Sequence, residues 1–178
     1  MQAVVVYESM FGNTRAVAEA IGAGLTDYFD VVVVPVAQAD PAQISDADLV
    51  VVGGPTHAHG MSRASTRLGA ANQAEQGGGG VTLEPHASGD GVREWLGSLG
   101  TSRGHGVAAA FDTRMRGPAA LTGRASKGIS NALRRQGYEL ISEPESFFVT
   151  KRNTLVEGER DRAREWGVAL ASRLALVG

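Results

Sequence analysis

The stretch Val4–Ile21, VVVYESMFGNTRAVAEAI, constrains this chain most, because it runs an apolar strand straight into a polar turn and then into a helix. Val4, Val5 and Val6 form a short β-branched run of the kind that suits a buried parallel strand. Ser9, Gly12, Asn13 and Thr14 then gather hydroxyls, an amide and flexible backbone into six residues. After them Val17, Ala18, Ile21 and Leu25 recur at helical spacing, so the turn sits on a helix N-terminus. Unpaired N–H groups and the positive end of the helix dipole converge there, and an anion fits without a cationic side chain. Helix capping alone competes with this reading, since Asn13 or Thr14 could serve as an N-cap with no ligand. A lone cap, however, accounts for only one of the three polar residues Ser9, Asn13 and Thr14.

Two well-known phosphate signatures are missing. There is no G-x-x-x-x-G-K-[ST], and no G-x-G-x-x-G follows the first strand, which argues against a P-loop nucleotidase or a dinucleotide-binding Rossmann site. The turn instead resembles the flavodoxin signature: two aliphatics and an aromatic, then a hydroxyl residue, a small residue, Thr, Ala and an aliphatic at fixed intervals. Val5, Val6, Tyr7, Ser9, Gly12, Thr14, Ala18 and Ile21 meet its constrained positions. That resemblance implies a flavodoxin-like α/β fold, a five-stranded parallel sheet of order 2-1-3-4-5 with helices on both faces. It also implies FMN as cofactor, its phosphate held by Ser9, Met10, Phe11, Gly12, Asn13 and Thr14. Phe11 stands where many relatives carry another hydroxyl, and Arg15 where many carry an acid.

The 178 residues are read as one domain, 1–178, large enough for a proper core. With 43% hydrophobic and 20% charged residues the chain is an ordinary globule, and a net charge of −2 argues against a general nucleic-acid binder. No long apolar run is present and the chain opens on a core strand, so no membrane span or signal peptide is expected, and the cytoplasm is the default compartment. Zero cysteines exclude disulfides, thiol catalysis and thiolate metal sites. Redox chemistry would therefore have to come from a cofactor.

Further along, Val31–Val36 gives a second strand whose Pro35 requires a sheet edge, and Leu49–Val52 a third. Short apolar strands alternating with helical stretches predict a parallel sheet. The loop Gly54–Ser62 follows strand three, and it resembles the second flavin loop of the quinone-oxidoreductase branch of the family. Pro55, Thr56, His57, Ala58, His59 and Gly60 are the ring-contacting candidates that this resemblance implies. His57 and His59 are otherwise solvated loop histidines, since two histidines at i and i+2 with no nearby acid or cysteine make a poor metal site. Ser62–Gln73 reads as a helix with Ser62 as its cap. A glycine-rich loop, Glu75–Gly91, is expected to be mobile and to lie near the flavin ring edge or a subunit interface.

Val92–Leu99 reads as a short helix with Trp95 and Leu96 inward, and Val107–Phe111 as strand four. Asp112, Thr113, Arg114 and Met115 then occupy the place of the third flavin loop. Leu121, Ala125, Ile129 and Leu133 mark one helix ending near Gly137. Tyr138–Ile141 and Phe147–Val149 read as two halves of strand five, and the last helix starts near Gly158 with Trp166 in the core.

The resemblance implies an FMN-dependent oxidoreductase that passes electrons from NAD(P)H to a small acceptor such as a quinone. Its alternatives are an electron carrier that docks to redox partner proteins, and a flavin-free binding or regulatory module. A homo-oligomer is left open. Family carriers sandwich the flavin between Trp and Tyr and are strongly acidic. The two ring loops here hold no Trp or Tyr, and −2 supplies little steering.

Overall fold

The computed structural model describes residues 1–75, 82–87, 89–99 and 106–176. Its centre is a parallel sheet in which β1 (Gln2–Tyr7) lies between β2 (Asp30–Pro35) and β3 (Leu49–His57). β3 in turn pairs with β5 (Val107–Met115), and β5 carries both β6 (Glu139–Leu140) and β7 (Glu145–Val149) on its far side. The order β2-β1-β3-β5-β6 is therefore the expected 2-1-3-4-5 of five core strands, with β5 as the fourth and with β6 and β7 as two halves of the last. Pro35 is tolerated because β2 is an edge and pairs with β1 alone.

The all-apolar valine runs follow from burial on both faces. Alternate residues divide between two cores: Val5, Val51 and Ala109 pack on α1 (Asn13–Leu25) and α7 (Glu159–Ala175). Val4, Val50 and Ala108 face the side that holds Ile44 of α2 (Pro41–Asp46), Leu96 of α4 (Val92–Ser98) and Ile129 of α6 (Ala125–Arg135). This gives the three-layer arrangement that the signature implied. Trp166 belongs to the first core, edge-on to Phe111 and Phe147 at centroid distances of 6.4 and 6.1 Å. The Phe111 ring lies over its register partner Gly53, where a Cβ would fall 2.1 Å from the ring. α1 and α7 also touch backbone to backbone: a Cβ on Gly24 would lie 2.1 Å from the Arg164 carbonyl oxygen, and one on Gly167 2.4 Å from that of Ile21.

Several local expectations are corrected. Strand three does not stop at Val52 but runs on to His57 and turns back as β4 (Gly60–Met61), through Ala58 and His59 at φ 43° and 76°. The segment read as an open loop is therefore largely a hairpin, and it is held because Gly123, at φ 73°, packs its Cα against the His59 backbone. Ser62 does not cap α3 (Ala64–Glu75); its hydroxyl accepts from Arg67 Nη1 at 2.9 Å, while Thr66 Oγ1 accepts from the Arg63 amide. Leu121 is exposed and belongs to a separate turn of helix, α5 (Ala119–Thr122), because Gly123 breaks the periodicity before α6 begins. Of the glycine-rich loop, residues 76–81 and 88 lie outside the described residues, and with them most of its expected mobility. Its described part returns to the first turn, where the Glu84 amide donates to the Met10 carbonyl at 2.8 Å.

Candidate functional site

The carboxyl ends of β1, β3, β5 and β7 enclose a cavity of about 180 Å³. It draws Ser9, Met10, Phe11, Asn13 and Thr14 from the first turn, Pro55, Thr56 and His57 from the end of β3, and Thr113, Arg114 and Met115 from the end of β5. The sequence-predicted candidates thus meet across more than a hundred residues of chain, at the crevice where ligands bind in open parallel sheets. Val149 and Asn153 complete the lining and were missed. Their signal was an apolar strand running into the polar turn Thr150–Thr154 at the same sheet edge, which the sequence reading assigned to no loop of the site.

Five candidates do not line the cavity. Gly12 is the N-cap of α1 at φ 88°, and its amide donates to Ser9 Oγ at 3.1 Å. Ala58, His59 and Gly60 are committed to the hairpin. Asp112 is fully buried, and its Oδ2 accepts from the Ser126 amide at 2.7 Å, which commits the carboxylate to the start of α6.

Helix N-termini at this edge are treated differently. The first amides of α6 are taken by side chains, Ala125 by Thr56 Oγ1 at 2.9 Å and Ser126 by Asp112. α1 has no side-chain cap bond, since a glycine stands at its N-cap. The side chains first read as alternative caps are engaged elsewhere: Asn13 Nδ2 donates to the Asn153 carbonyl and Oδ1 at 2.9 and 3.1 Å, and Thr14 Oγ1 lies 2.7 Å from Thr113 Oγ1. The turn consequently offers backbone donors and the helix dipole, which suit an anionic group, while its side chains tie the walls together. The donor set fits the phosphate end of a flavin mononucleotide.

The described lining from β3 and β5 holds no Trp or Tyr. His57 stands at the wall, and burial pushes its imidazole below the ordinary 6.5; the Glu8 carboxylate opposes that shift and the Arg67 guanidinium adds to it. Arg114 is buried, with Nη1 donating to the Gly117 carbonyl at 2.9 Å and to Thr122 Oγ1 at 2.7 Å, and its guanidinium lies 4.9 Å from the Phe148 ring centroid. It neither points to solvent nor pairs with Asp112. Arg116 is exposed.

Among the described residues no helix is long and apolar enough to cross a membrane. Solved structures of the same fold include an archaeal flavodoxin, 20% identical with a TM-score of 0.65, covering 98% of this chain and 99% of that one. Flavodoxin 1 from Bacillus cereus is 16% identical at a TM-score of 0.65, covering 97% and 98%. A flavodoxin, WrbA-like protein from Agrobacterium tumefaciens is 17% identical at 0.62, covering 98% of each. A search of curated proteins gave no match. The family model for flavodoxin matches residues 5–118, and that family and its flavodoxin neighbours bind FMN. With the signature turn, the strand order and this match in agreement, the chain belongs to the flavodoxin family.

Proposed function

We propose that the chain is an FMN-dependent oxidoreductase that accepts electrons from a nicotinamide and passes them to a small acceptor such as a quinone. The observation that carries this reading is the buried Arg114 among the cavity-lining residues, bonded to neutral acceptors and, among the described residues, to no carboxylate. A fixed positive charge favours a ring that gains negative charge on full reduction. The lack of Trp or Tyr among the described lining residues also differs from the aromatic sandwich of a carrier. FMN would supply the two-electron chemistry.

In this reading the amides at the start of α1 bind the phosphate. Thr14 and Thr113 hold the first and third loops in register, and Asn13 fastens the first loop to the turn after β7. Arg114, held by Gly117 and Thr122, faces the ring side, and neutral His57 closes the wall.

The test is anaerobic reduction of the FMN-loaded protein by NADH or NADPH, followed by addition of benzoquinone. Bleaching of the flavin band by the nicotinamide, and its return with the quinone, is the expected result. Loss of flavin on desalting points to the binding-module alternative. Retained flavin that no nicotinamide reduces points to the electron carrier.

A further inference from the structure

Two cations beside the flavin cavity are already engaged. Arg15, in the first turn of α1, pairs with Glu84 at 3.2 Å and with Glu19 at 3.7 Å. Arg114 donates to the Gly117 carbonyl and to Thr122 Oγ1. Two others, Lys151 and Arg152, stand in the turn that follows β7, and no part of the flavin reading uses them.

That turn is fixed in place. The Thr150 amide donates to the Thr154 carbonyl at 2.8 Å, the Asn153 amide to the Thr150 carbonyl at 3.0 Å, and the Arg152 amide to Thr150 Oγ1 at 3.2 Å. Asn153, at φ 58°, gives its carbonyl and Oδ1 to Asn13 Nδ2 at 2.9 and 3.1 Å, and Asn13 is the first residue of α1. Both asparagines line the flavin cavity. Lys151 and Arg152 therefore lie within two residues of a contact made at the helix N-terminus that suits the phosphate. Both are exposed, and among the described residues neither forms an ion pair. Of the acids around this turn, Glu145 and Glu159 are taken by Arg162 at 2.6 Å each. Glu157 is the one acid between positions 146 and 158, so this stretch is net positive in a chain of net charge −2.

From this we infer that Lys151 and Arg152 are a capture site for the phosphate of FMN, speeding its arrival at the α1 N-terminus and favouring the mononucleotide over uncharged flavin. The inference rests on the flavin reading of the cavity. Backbone amides and a helix dipole act at close range, since their effect falls off within the first turn. Full charges act over the Debye length, about 30 Å at 0.01 M ionic strength, and raise the rate at which an oppositely charged ligand arrives. A phosphate monoester carries a charge of about −1.5 to −2 at pH 7, so it feels this pull and riboflavin does not. The first turn holds the phosphate, and the fourth loop gathers it.

The experiment is stopped-flow quenching of flavin fluorescence by the full chain freed of flavin, with FMN and with riboflavin, at about 0.01 M and about 0.5 M ionic strength. At the lower value, Lys151→Gln with Arg152→Gln should slow FMN association about threefold or more and leave riboflavin association unchanged. At the higher value the difference should vanish. The same loss of charge at Arg134 and Arg135, exposed at the far end of α6, should leave FMN association unchanged. Equal FMN rates in the unaltered protein and the Lys151, Arg152 variant overturn the inference. So does equal slowing of FMN and riboflavin, which marks a displaced loop and not a lost charge. The unaltered protein gives a check that no substitution disturbs: its FMN association should fall with salt while its riboflavin association does not, and a salt-independent FMN rate overturns the inference. Equal affinities of the unaltered protein for FMN and riboflavin would remove the phosphate from this end of the cavity and the inference with it. A preference for FMN that survives undiminished in the variant overturns the inference alone.

Discussion

The hydroxyl oxygens of Thr14 and Thr113 lie 2.7 Å apart in a buried contact that fastens the first turn to the end of β5, across 99 positions of sequence. Either hydroxyl can donate, so each depends on the other to satisfy a group cut off from water. Replacing Thr14 by Val leaves Thr113 Oγ1 without that partner and should lower stability by about 1–3 kcal/mol, the scale for an unsatisfied buried group. FMN binding should weaken with it, because the two loops that frame the cavity lose their common register. Riboflavin, which lacks the phosphate, should bind the unaltered protein far more weakly than FMN in a fluorescence titration. Equal affinities would remove the phosphate from the α1 N-terminus.

His57 gives a pH prediction. Its folded-state pKa is lowered, chiefly by burial, so the folded protein holds this imidazole neutral while the unfolded chain protonates near 6.5. The unfolded state therefore takes up the extra proton as pH falls, and the stability that His57 contributes is fully present above about 6.5 and declines below it. An NMR titration of the ring protons should show a midpoint below 6.5, and His57→Asn should flatten the stability profile on the acid side of that value. An unshifted midpoint would mean that the side chain is solvated.

The helix pair α1 and α7 admits no side chain at its crossing. Gly24→Ala would drive a methyl to 2.1 Å from the Arg164 carbonyl oxygen, and Gly167→Ala to 2.4 Å from that of Ile21, both of them main-chain atoms that cannot turn aside. Each substitution should destabilise by about 1–3 kcal/mol or more, read as a lower denaturant midpoint. A neutral result for both would show that the helices can separate at no cost.

The fold was legible because its strongest signals are local and redundant. Three valine runs and the Ser9–Thr14 turn imply a buried sheet and a helix N-terminus at its edge regardless of what surrounds them. The hairpin at Ala58 and His59 was not, since neither residue favours positive φ and only the packing of Gly123 reveals why the chain turns there. Asp112 was misread for a related reason. Its loop position suggested a ligand contact, but strand β5 continues through it, and its carboxylate is taken by the Ser126 amide at the start of α6. Val149 and Asn153 escaped notice because a site of this kind is usually described by its first three loops, whereas Asn13 makes its contacts with the fourth.

That same hairpin stores strain which two substitutions can relieve. Ala58 and His59 both occupy positive φ, the pattern of a type I′ turn, for which Asn-Gly is favoured. The double change Ala58→Asn with His59→Gly should raise stability by roughly 1 kcal/mol in a thermal melt, since neither side chain lines the cavity. A loss of stability would show that the native side chains make packing contacts that outweigh their backbone strain.

The two leading functions separate at Arg114. Arg114 lines the cavity, its guanidinium is held by Gly117, Thr122 and the Phe148 ring, and the one acid of that loop, Asp112, is turned to Ser126. Its charge is therefore not neutralised locally, and it should favour the reduced, negatively charged flavin, raising the potential of the bound cofactor. Acidic carriers produce the opposite field and a low potential. Arg114→Gln should lower the midpoint by about 30 mV or more, equivalent to roughly 1.4 kcal/mol over two electrons, and Arg114→Glu should lower it further. Spectroelectrochemistry of the FMN complex should also show a single two-electron reduction. Two well-separated one-electron steps, with a potential that neither substitution moves, would instead assign the protein to electron carriage between partner proteins.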